Sequence, residues 1–462
     1  MNLFRNNKVI FFNFFIALIW YLIFGFSLSK EYYVWDDLHF FRNYSSDELV
    51  NIWFGNWDSI GIETPAYRPF AILYYHFLYL VFDENTFLLR HFVILEGFVL
   101  IFLCLKLLNY FDFSERKIIF FIFLIIFSKI FITLISWFTI SVLIFAYIFT
   151  LLSILFFLKS IKDQNISLYL ISILFSIISI FTREELYILP VILFLIFFFK
   201  NQITLRNLIN CFVKVLPFLL IVICHILLRK EFIPEGDHFQ LVGFSIKFGN
   251  DFITIGGLIK AFKASFFPMG YFSIKNSDLI QTFFSLLWFA SILSSLILLF
   301  SNVKINLKKI FILLSLVLVS CFPNLTIPRA WGIFLPYFFA ITLISSSIDP
   351  LIKLFFSTKK IKKLFISIVI ILLIITGPIG GIYRSSEHTK AMNQFSKSII
   401  RYDSQFIFGY KNIGFDLKIP EKRYLTKQKH LNNLGIYDFN FGDKINLPST
   451  KFIDNKYLPF WF

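Results

Sequence analysis

Residues 138–158 read FTISVLIFAYIFTLLSILFFL, a run of 21 residues without a charged side chain. An apolar run of about 20 residues is long enough to cross the hydrocarbon core of a bilayer as an α-helix. A backbone in lipid must satisfy its hydrogen bonds internally, which an isolated strand cannot do. The stretch therefore predicts a transmembrane helix, and similar runs recur along the whole chain.

The overall composition indicates the same class of protein. Of the 462 residues, 58% are hydrophobic and 67 are phenylalanine, and the mean hydropathy is +0.75. A soluble domain uses far fewer apolar residues. The runs predict an all-α polytopic membrane protein with about 11 crossings, at 9–29, 87–108, 117–135, 138–158, 167–182, 186–199, 213–228, 281–300, 309–322, 331–347 and 364–382.

Positive charges between the runs predict the orientation. With the N-terminus inside, every inside connection is basic, from Arg5 and Lys8 to the lysines between 353 and 363, as the positive-inside rule requires. This pattern accounts for the net charge of +16, so nucleic acid is not an expected partner. The first run has no A-x-A-like cleavage site and is interpreted as an uncleaved helix. The N-terminus is thus predicted to be cytoplasmic and the C-terminus extracytoplasmic.

The run 70–82 is interpreted differently. At about 13 residues it is too short to span a bilayer, and Asp83-Glu84 follows it directly. It predicts an interfacial helix inside a first outside loop, residues 30–86. Counting it as a crossing would place the lysines of 353–363 outside, against the charge pattern.

With this topology, unusual polar residues gather on the outside face. They are Asp36-Asp37, Tyr67-Arg68-Pro69 at the end of the same loop, the turn 182–185, the loop from about 229 to 279, the turn 323–329 and the segment 383–462. The assignment of spans did not use these residues. Their clustering predicts a site at the outer membrane surface.

The turn Thr182-Arg183-Glu184-Glu185 lies between two short spans, which would hold it below the headgroups. A charged side chain at bilayer depth costs on the order of 3 kcal/mol or more unless it is paired or faces water. The turn therefore predicts side chains that line a hydrated cavity or pair with one another. The alternative is an ordinary interfacial turn whose charged groups extend to the surface.

Taken together, these motifs resemble the membrane glycosyltransferases of the GT-C fold. The resemblance is greatest to the protein O-mannosyltransferases and the related transmembrane mannosyltransferases, and it covers roughly residues 1–200. It rests on Trp35-Asp36-Asp37, Tyr67-Arg68-Pro69 and Phe181-Thr182-Arg183-Glu184. Arg183 stands where the family usually has lysine, and the tetratricopeptide repeats of one subgroup are missing. The resemblance implies a GT-C-like transmembrane domain, 1–382, followed by a small extracytoplasmic segment, 383–462.

The resemblance implies transfer of a sugar from a polyprenyl-phosphate carrier to an acceptor on the outer face, with inversion. A carboxylate in reach of the acceptor hydroxyl or amine can remove its proton as the new bond forms. Asp36 and Asp37 are the candidate catalytic residues; family position slightly favours Asp36, and the sequence does not choose between them. The acceptor is a protein, a lipid or a glycan.

The leaving phosphate needs fixed positive groups as its charge develops. Arg183 and Arg329 are the first candidates, whereas Arg68 could instead brace the loop. The predicted substrate-binding residues are His39, Tyr67, Arg68, Arg183, Glu184 and Arg329. For each arginine alone, a contact to a lipid headgroup is the competing interpretation.

No cofactor is expected. Asp36, Asp37, Glu184 and Glu185 could supply oxygen ligands to a divalent cation, but a later Asp-x-Asp pattern is missing and a metal is not favoured. The four cysteines lie in apolar runs without CxxC spacing, which indicates neither a disulfide nor a zinc framework.

Two other functions remain open. A transporter or flippase for lipid-linked sugars would also have many spans and an arginine-lined cavity, although midplane polar residues and paired halves are expected there. A ligase or polymerase of surface polysaccharide would have its decisive loop late in the chain, where 229–279 leaves room for one.

Overall fold

The computed structural model describes residues 7–28, 40, 43–54, 67–82, 85–136, 138–233, 239–242, 245–248, 251–252, 255–268, 279–302, 307–324, 330–358 and 360–410. Within these ranges the chain is predominantly helical. The first helix, α1 (Asn7–Trp20), continues through a π-helical turn, Tyr21–Gly25, to Leu28. The remaining helices are α2 (Ser46–Asn51), α3 (Pro69–Phe82), α4 (Thr86–Tyr110), α5 (Glu115–Ile126), α6 (Lys129–Ser136), α7 (Phe138–Asp163), α8 (Ile166–Thr182), α9 (Leu189–Lys200), α10 (Leu205–Phe232), α11 (Ile255–Ser265), α12 (Leu279–Asn302), α13 (Leu307–Cys321), α14 (Phe334–Ser346), α15 (Ile348–Ser357) and α16 (Lys360–Tyr410).

The chain is a polytopic helical membrane protein. Five described helices are long and apolar enough to cross a membrane, and the bent pair α5–α6 makes a possible sixth. All of the 11 predicted spans overlap a helix, but several of those helices are shorter than the spanning length. The structure therefore supports the helical membrane class without establishing the number of crossings.

A small sheet lies in the connection after α10. Its strands are β1 (Phe239–Val242), β2 (Ser245–Phe248) and β3 (Asp251–Phe252), paired antiparallel in the order β1-β2-β3. Because the connection was predicted to lie outside the membrane, the strands do not conflict with a helical membrane part. The expectation of an all-α chain is corrected to this extent.

The predicted span 117–135 is broken. α5 and α6 meet at an angle of 53°. Ser128 lies in the break, where its Oγ donates to the carbonyl of Ile125 and accepts from the backbone N–H of Phe131. A contact with a distant part of the chain also stabilises the break, because the N–H of Lys129 donates to the carbonyl of Pro268, 2.8 Å away. A serine that caps the second helix thus interrupts a run that hydropathy alone reads as continuous.

α16 crosses the predicted domain boundary at residue 383 as one helix. It packs against the α5–α6 break, where a Cβ at Gly381 would overlap the carbonyl oxygen of Phe127. Ser385 Oγ donates to that carbonyl at 3.3 Å. Glycine at 381 therefore permits a close backbone approach of the kind common between membrane helices. Residues 411–462, most of the predicted C-terminal segment, lie outside the described part of the chain.

Small polar residues join α7 to α8. Thr150 and Ser179 share a hydrogen bond of 2.6 Å between their hydroxyls, and Ser153 and Ser172 donate to each other's carbonyls. Short side chains let the two backbones approach, and the hydroxyls are satisfied within the pair. This contact fixes the end of α8, from which the turn at 183–188 continues.

The run 70–82, predicted to be an interfacial helix, forms the helix α3 over 14 residues. Its Tyr74 hydroxyl donates to Glu96 of α4 at 2.5 Å, and its Tyr75 hydroxyl donates to the carbonyl of Thr139 of α7 at 2.5 Å. One face is buried by these contacts, whereas Phe77 and Leu80 remain exposed. The first residues of α3 are thereby held against the bundle.

Candidate functional site

Three segments that are distant in sequence meet at one end of the bundle. They are Tyr67-Arg68 just before α3, the turn Arg183–Ile188 between α8 and α9, and the last turns of α10. The structure brings together four of the predicted substrate-binding residues, Tyr67, Arg68, Arg183 and Glu184. The other predicted site residues, Asp36, Asp37, His39 and Arg329, lie outside the described residues.

The turn forms because Arg183 leaves the helical conformation. Its backbone is extended (φ −153°, ψ 126°), which ends α8 at Thr182. Glu184–Ile188 then forms a 3-10 turn. Pro190 follows in the first turn of α9, where a helix does not need the missing N–H. The two carboxylates are thus presented from a tight turn between two helices.

Glu184 lies between two arginines. Arg68 Nε donates to Glu184 Oε2 at 2.6 Å. Arg229 Nη1, from the last turn of α10, lies 3.6 Å from Glu184 Oε1. The Arg68 side chain is 30% exposed, whereas those of Glu184 and Arg229 are only 11% and 7% exposed. One carboxylate therefore connects α3, the turn and α10.

Arg183 points to a second carboxylate. Its Nε lies 4.0 Å from Oε2 of Glu185, and both side chains are largely buried. At that distance the two groups form an ion pair that is longer than a hydrogen bond. Arg183 is consequently held less tightly by its neighbour than Arg68 is.

His225 of α10 is hydrogen-bonded to both of the other segments. Its Nε2 lies 3.0 Å from the carbonyl oxygen of Tyr67, and its Nδ1 lies 2.6 Å from the hydroxyl of Tyr187. The rings of Tyr67, Phe181 and Tyr187 surround it, with centroids 5.4, 4.6 and 5.4 Å away. The imidazole is fully buried. It lies one helical turn before Arg229, so both side chains share a face of α10.

The pKa values of both carboxyl groups in the turn, those of Glu184 and Glu185, are lowered. Burial raises the pKa of the Glu184 carboxyl, but Arg68 and Arg229 together lower it by more, so that the pKa falls to about 2. For Glu185, burial likewise raises the pKa, and Arg183 and Arg68 lower it below the ordinary value. Both carboxylates are therefore charged at neutral pH. Among the described residues of the cluster, the three arginines exceed the two carboxylates by one.

In the turn at 183–188, three buried side-chain atoms have no hydrogen-bond partner among the described residues. They are Arg183 Nε, Glu184 Oε1 and Glu185 Oε2. Buried polar atoms are nearly always satisfied, and an exception at a charged cluster is typical of a place where water or a ligand binds. Of these atoms only Arg183 Nε is a donor that can face an anion, whereas the two carboxylate oxygens accept and can take a donor such as water. The carboxylates also keep the arginines in place.

Within the described ranges, no group of three or more His, Cys, Asp or Glu residues is arranged to hold a metal ion. Glu184 and Glu185 contact arginines. Asp36 and Asp37, which would complete the carboxylate set considered from sequence, fall outside those ranges.

The sequence alone did not identify Arg229, His225 and Tyr187 as parts of this site. Arg229 was interpreted only as the beginning of a loop, but α10 continues to Phe232. The four-residue spacing between His225 and Arg229 was the available signal, because it places an imidazole and a guanidinium on one face of an apolar helix. Tyr187 carried no comparable signal.

No model of a protein family matches the chain. No curated protein matches it either. Among solved structures, it is similar to the archaeal oligosaccharyltransferase AglB from Archaeoglobus fulgidus, determined in complex with an inhibitory peptide and a dolichol-phosphate, with 11% sequence identity and a TM-score of 0.48. The match covers 87% of this chain and 60% of that one, so the chain spans about three fifths of the length of that protein. A likeness at this identity and TM-score assigns neither a family nor an activity to the chain.

Proposed function

We propose that this protein is an inverting membrane glycosyltransferase. It moves a sugar from a polyprenyl-phosphate donor to an acceptor hydroxyl or amine at the extracytoplasmic face. The acceptor belongs to a protein, a lipid or a glycan of the cell envelope. The observation that carries the proposal is the largely buried cluster of Arg68, Arg183 and Arg229 around Glu184 and Glu185, in which arginines outnumber carboxylates among the described residues.

In the proposed reaction the acceptor atom attacks the anomeric carbon. The proton of the acceptor hydroxyl or amine passes to Asp36 or Asp37 as the new bond forms. The bond between the anomeric carbon and the phosphate oxygen breaks, and the electron pair leaves with the lipid phosphate. No divalent metal is needed, because arginine side chains can stabilise the developing charge.

The described cluster supports particular roles for the substrate-binding residues. Arg183 makes a long ion pair with Glu185 among the described residues and is proposed, with Arg329, to contact the phosphate. Glu184 acts by holding Arg68 in place. Tyr67 and His39 are proposed to line the sugar side of the site.

The proposal includes about 11 crossings in a GT-C-like bundle, with a cytoplasmic N-terminus and an extracytoplasmic C-terminus. Its support is the basic character of every connection that this topology places inside. The turn at 183–188 then lies on the same side as the first outside loop. If a topology reporter at residue 183 is cytoplasmic, the arginine cluster lies on the opposite side of the membrane from the proposed acceptor, and the proposal is contradicted.

The direct test measures transfer from a labelled polyprenyl-phosphate sugar in membranes. Asp36→Asn and Asp37→Asn each remove one carboxylate with little change of shape, and loss of the base should slow transfer by about 10² to 10⁴. Asp47→Asn, in the same loop at the exposed start of α2, is the matched control and should transfer normally.

Normal transfer in both aspartate variants would show that neither residue is the base. Movement of the labelled lipid across the membrane without a glycosidic product would instead support a flippase. Transfer that is abolished by a chelator and restored by a divalent cation would contradict the metal-free reaction.

A further inference from the structure

We infer that His225 is a positioning residue, which sets the Arg68–Glu184 pair by holding the backbone immediately before Arg68. The inference rests on the proposed function for its consequence in catalysis. Its structural part concerns only contacts among described residues.

The hydrogen bonds of His225 fix its tautomer. A carbonyl oxygen can only accept, so Nε2 must bear the hydrogen that is donated to the Tyr67 carbonyl. In the neutral ring, Nδ1 then accepts from the Tyr187 hydroxyl. The imidazole therefore connects the turn at 183–188 to the chain entering α3, with one defined role for each nitrogen.

The Tyr67 carbonyl is a sensitive point of attachment. The hydrogen bonds of α3 begin one residue later, where the Arg68 carbonyl accepts from the N–H groups of Ala71 and Ile72. His225 thus anchors the residue just ahead of the helix. Because Arg68 is the next residue, a shift of the Tyr67 carbonyl would move the Arg68 side chain away from Glu184, which it meets at 2.6 Å.

The surroundings of His225 restrict it to this geometry. Three aromatic rings enclose the imidazole, and its side chain is fully buried. Tyr67 is fixed at its other end as well, because its hydroxyl donates to the carbonyl of Trp53 at 3.1 Å. A buried, hydrogen-bonded imidazole of this kind can hold a functional group within the small tolerance that catalysis requires.

Two conservative substitutions separate the roles of the two nitrogens. The amide nitrogen of His225→Gln reaches about the place of Nε2 and can still donate to the Tyr67 carbonyl. The shorter amide of His225→Asn replaces only the Nδ1 side, next to Tyr187. The inference therefore predicts that glutamine preserves the position of Arg68 and that asparagine does not.

The first measurement does not depend on activity. Membranes containing each variant are treated with phenylglyoxal, which modifies accessible arginines, and modification of Arg68 is quantified by mass spectrometry. Arg68 should react several-fold faster in His225→Asn than in the wild type, and His225→Gln should stay close to the wild type. Arg206, exposed at the start of α10, should react equally in all three proteins and serves as the internal control.

The second measurement is transfer from the labelled lipid donor in the same membranes. A displaced Arg68 should lower kcat/KM by about 10- to 100-fold in His225→Asn, and His225→Gln should recover most of the activity. Equal Arg68 reactivity in the glutamine and asparagine variants overturns the inference, whatever their activity. If the reactivity pattern holds but the wild type transfers no sugar, the positioning role stands and the proposed function fails.

Discussion

Asp112 and Glu184 each pair with a cation from a distant part of the chain, but their surroundings differ. Asp112 accepts from Lys200 Nζ at 3.0 Å, and Glu184 accepts from Arg68 Nε at 2.6 Å. The side chain of Asp112 is 64% exposed, whereas that of Glu184 is 11% exposed and close to a second arginine. The two pairs have similar distances, but Asp112 is largely exposed to water and Glu184 is largely buried.

The difference separates a stabilising contact from a candidate site. An exposed ion pair gains little, typically about 0 to 1 kcal/mol, because water screens it. A buried pair must first overcome the cost of desolvation and is often no more stable than apolar residues in its place. A chain that keeps five charged side chains together, four of them largely buried, therefore retains them for a reason other than stability, which is why the turn at 183–188 is the candidate site.

The largest expected effect is at the buried carboxylate. Glu184→Gln leaves Arg68 and Arg229 without their shared anion, and breaking a buried pair costs about 3 to 5 kcal/mol. The variant should unfold at a clearly lower temperature in detergent and lose transfer. Glu231→Gln, at an exposed carboxylate two residues beyond Arg229, is the control and should match the wild type. Equal unfolding temperatures for both variants would mean that Glu184 is solvated like Asp112.

The next effect is the pH dependence of the same pair. The folded-state pKa of Glu184 is lowered to about 2, so the stability it contributes is fully present above its unfolded pKa of about 4.5 and is lost as the pH falls toward 2. Its size is on the order of 3 kcal/mol. The unfolding temperatures of the wild type and Glu184→Gln should therefore approach each other progressively as the pH falls from about 4.5 toward 2. A constant difference across that range would contradict an ionised Glu184.

The smallest effect is expected at the exposed pair. Asp112 has a left-handed backbone (φ 59°), a conformation that asparagine also accepts readily. Asp112→Asn consequently removes the charge without straining the turn, and it should change the free energy of unfolding by less than about 1 kcal/mol and leave transfer unchanged. A loss comparable to that of Glu184→Gln would remove the distinction between the two pairs.

The helices could be predicted from sequence because each depends on its own composition. The run 138–158 coincides with the greater part of α7, since the length of an apolar run is itself the constraint that the membrane imposes. The break at Ser128 was missed because a single serine hardly changes hydropathy. Its effect depends on a capping bond and on the distant carbonyl of Pro268.

The site was only partly predictable for a similar reason. Arg68, Arg183 and Glu184 were predicted because charged residues beside membrane spans are costly and stand out, and Tyr67 was predicted because it precedes Arg68 in the Tyr-Arg-Pro motif. Their pairing was not, because Arg68 and Glu184 are 116 residues apart and only the packing of α3 against α4, α7 and α8 brings them together. Arg68 pairs with Glu184 of the turn, and the carboxylates of its own loop that it could instead brace lie outside the described residues.

The central claim is that the arginines of the cluster bind a lipid phosphate, and stabilisation of the protein by such a lipid tests it directly. The unfolding temperature of the purified protein in detergent is measured in the presence of polyprenyl phosphate and, separately, of the uncharged polyprenol of equal length. We expect stabilisation of the wild type by the phosphate alone, and affinity about tenfold or more lower in Arg183→Gln, while Asp112→Asn behaves as the wild type. Equal stabilisation by both lipids, or an unchanged affinity in Arg183→Gln, would contradict the claim.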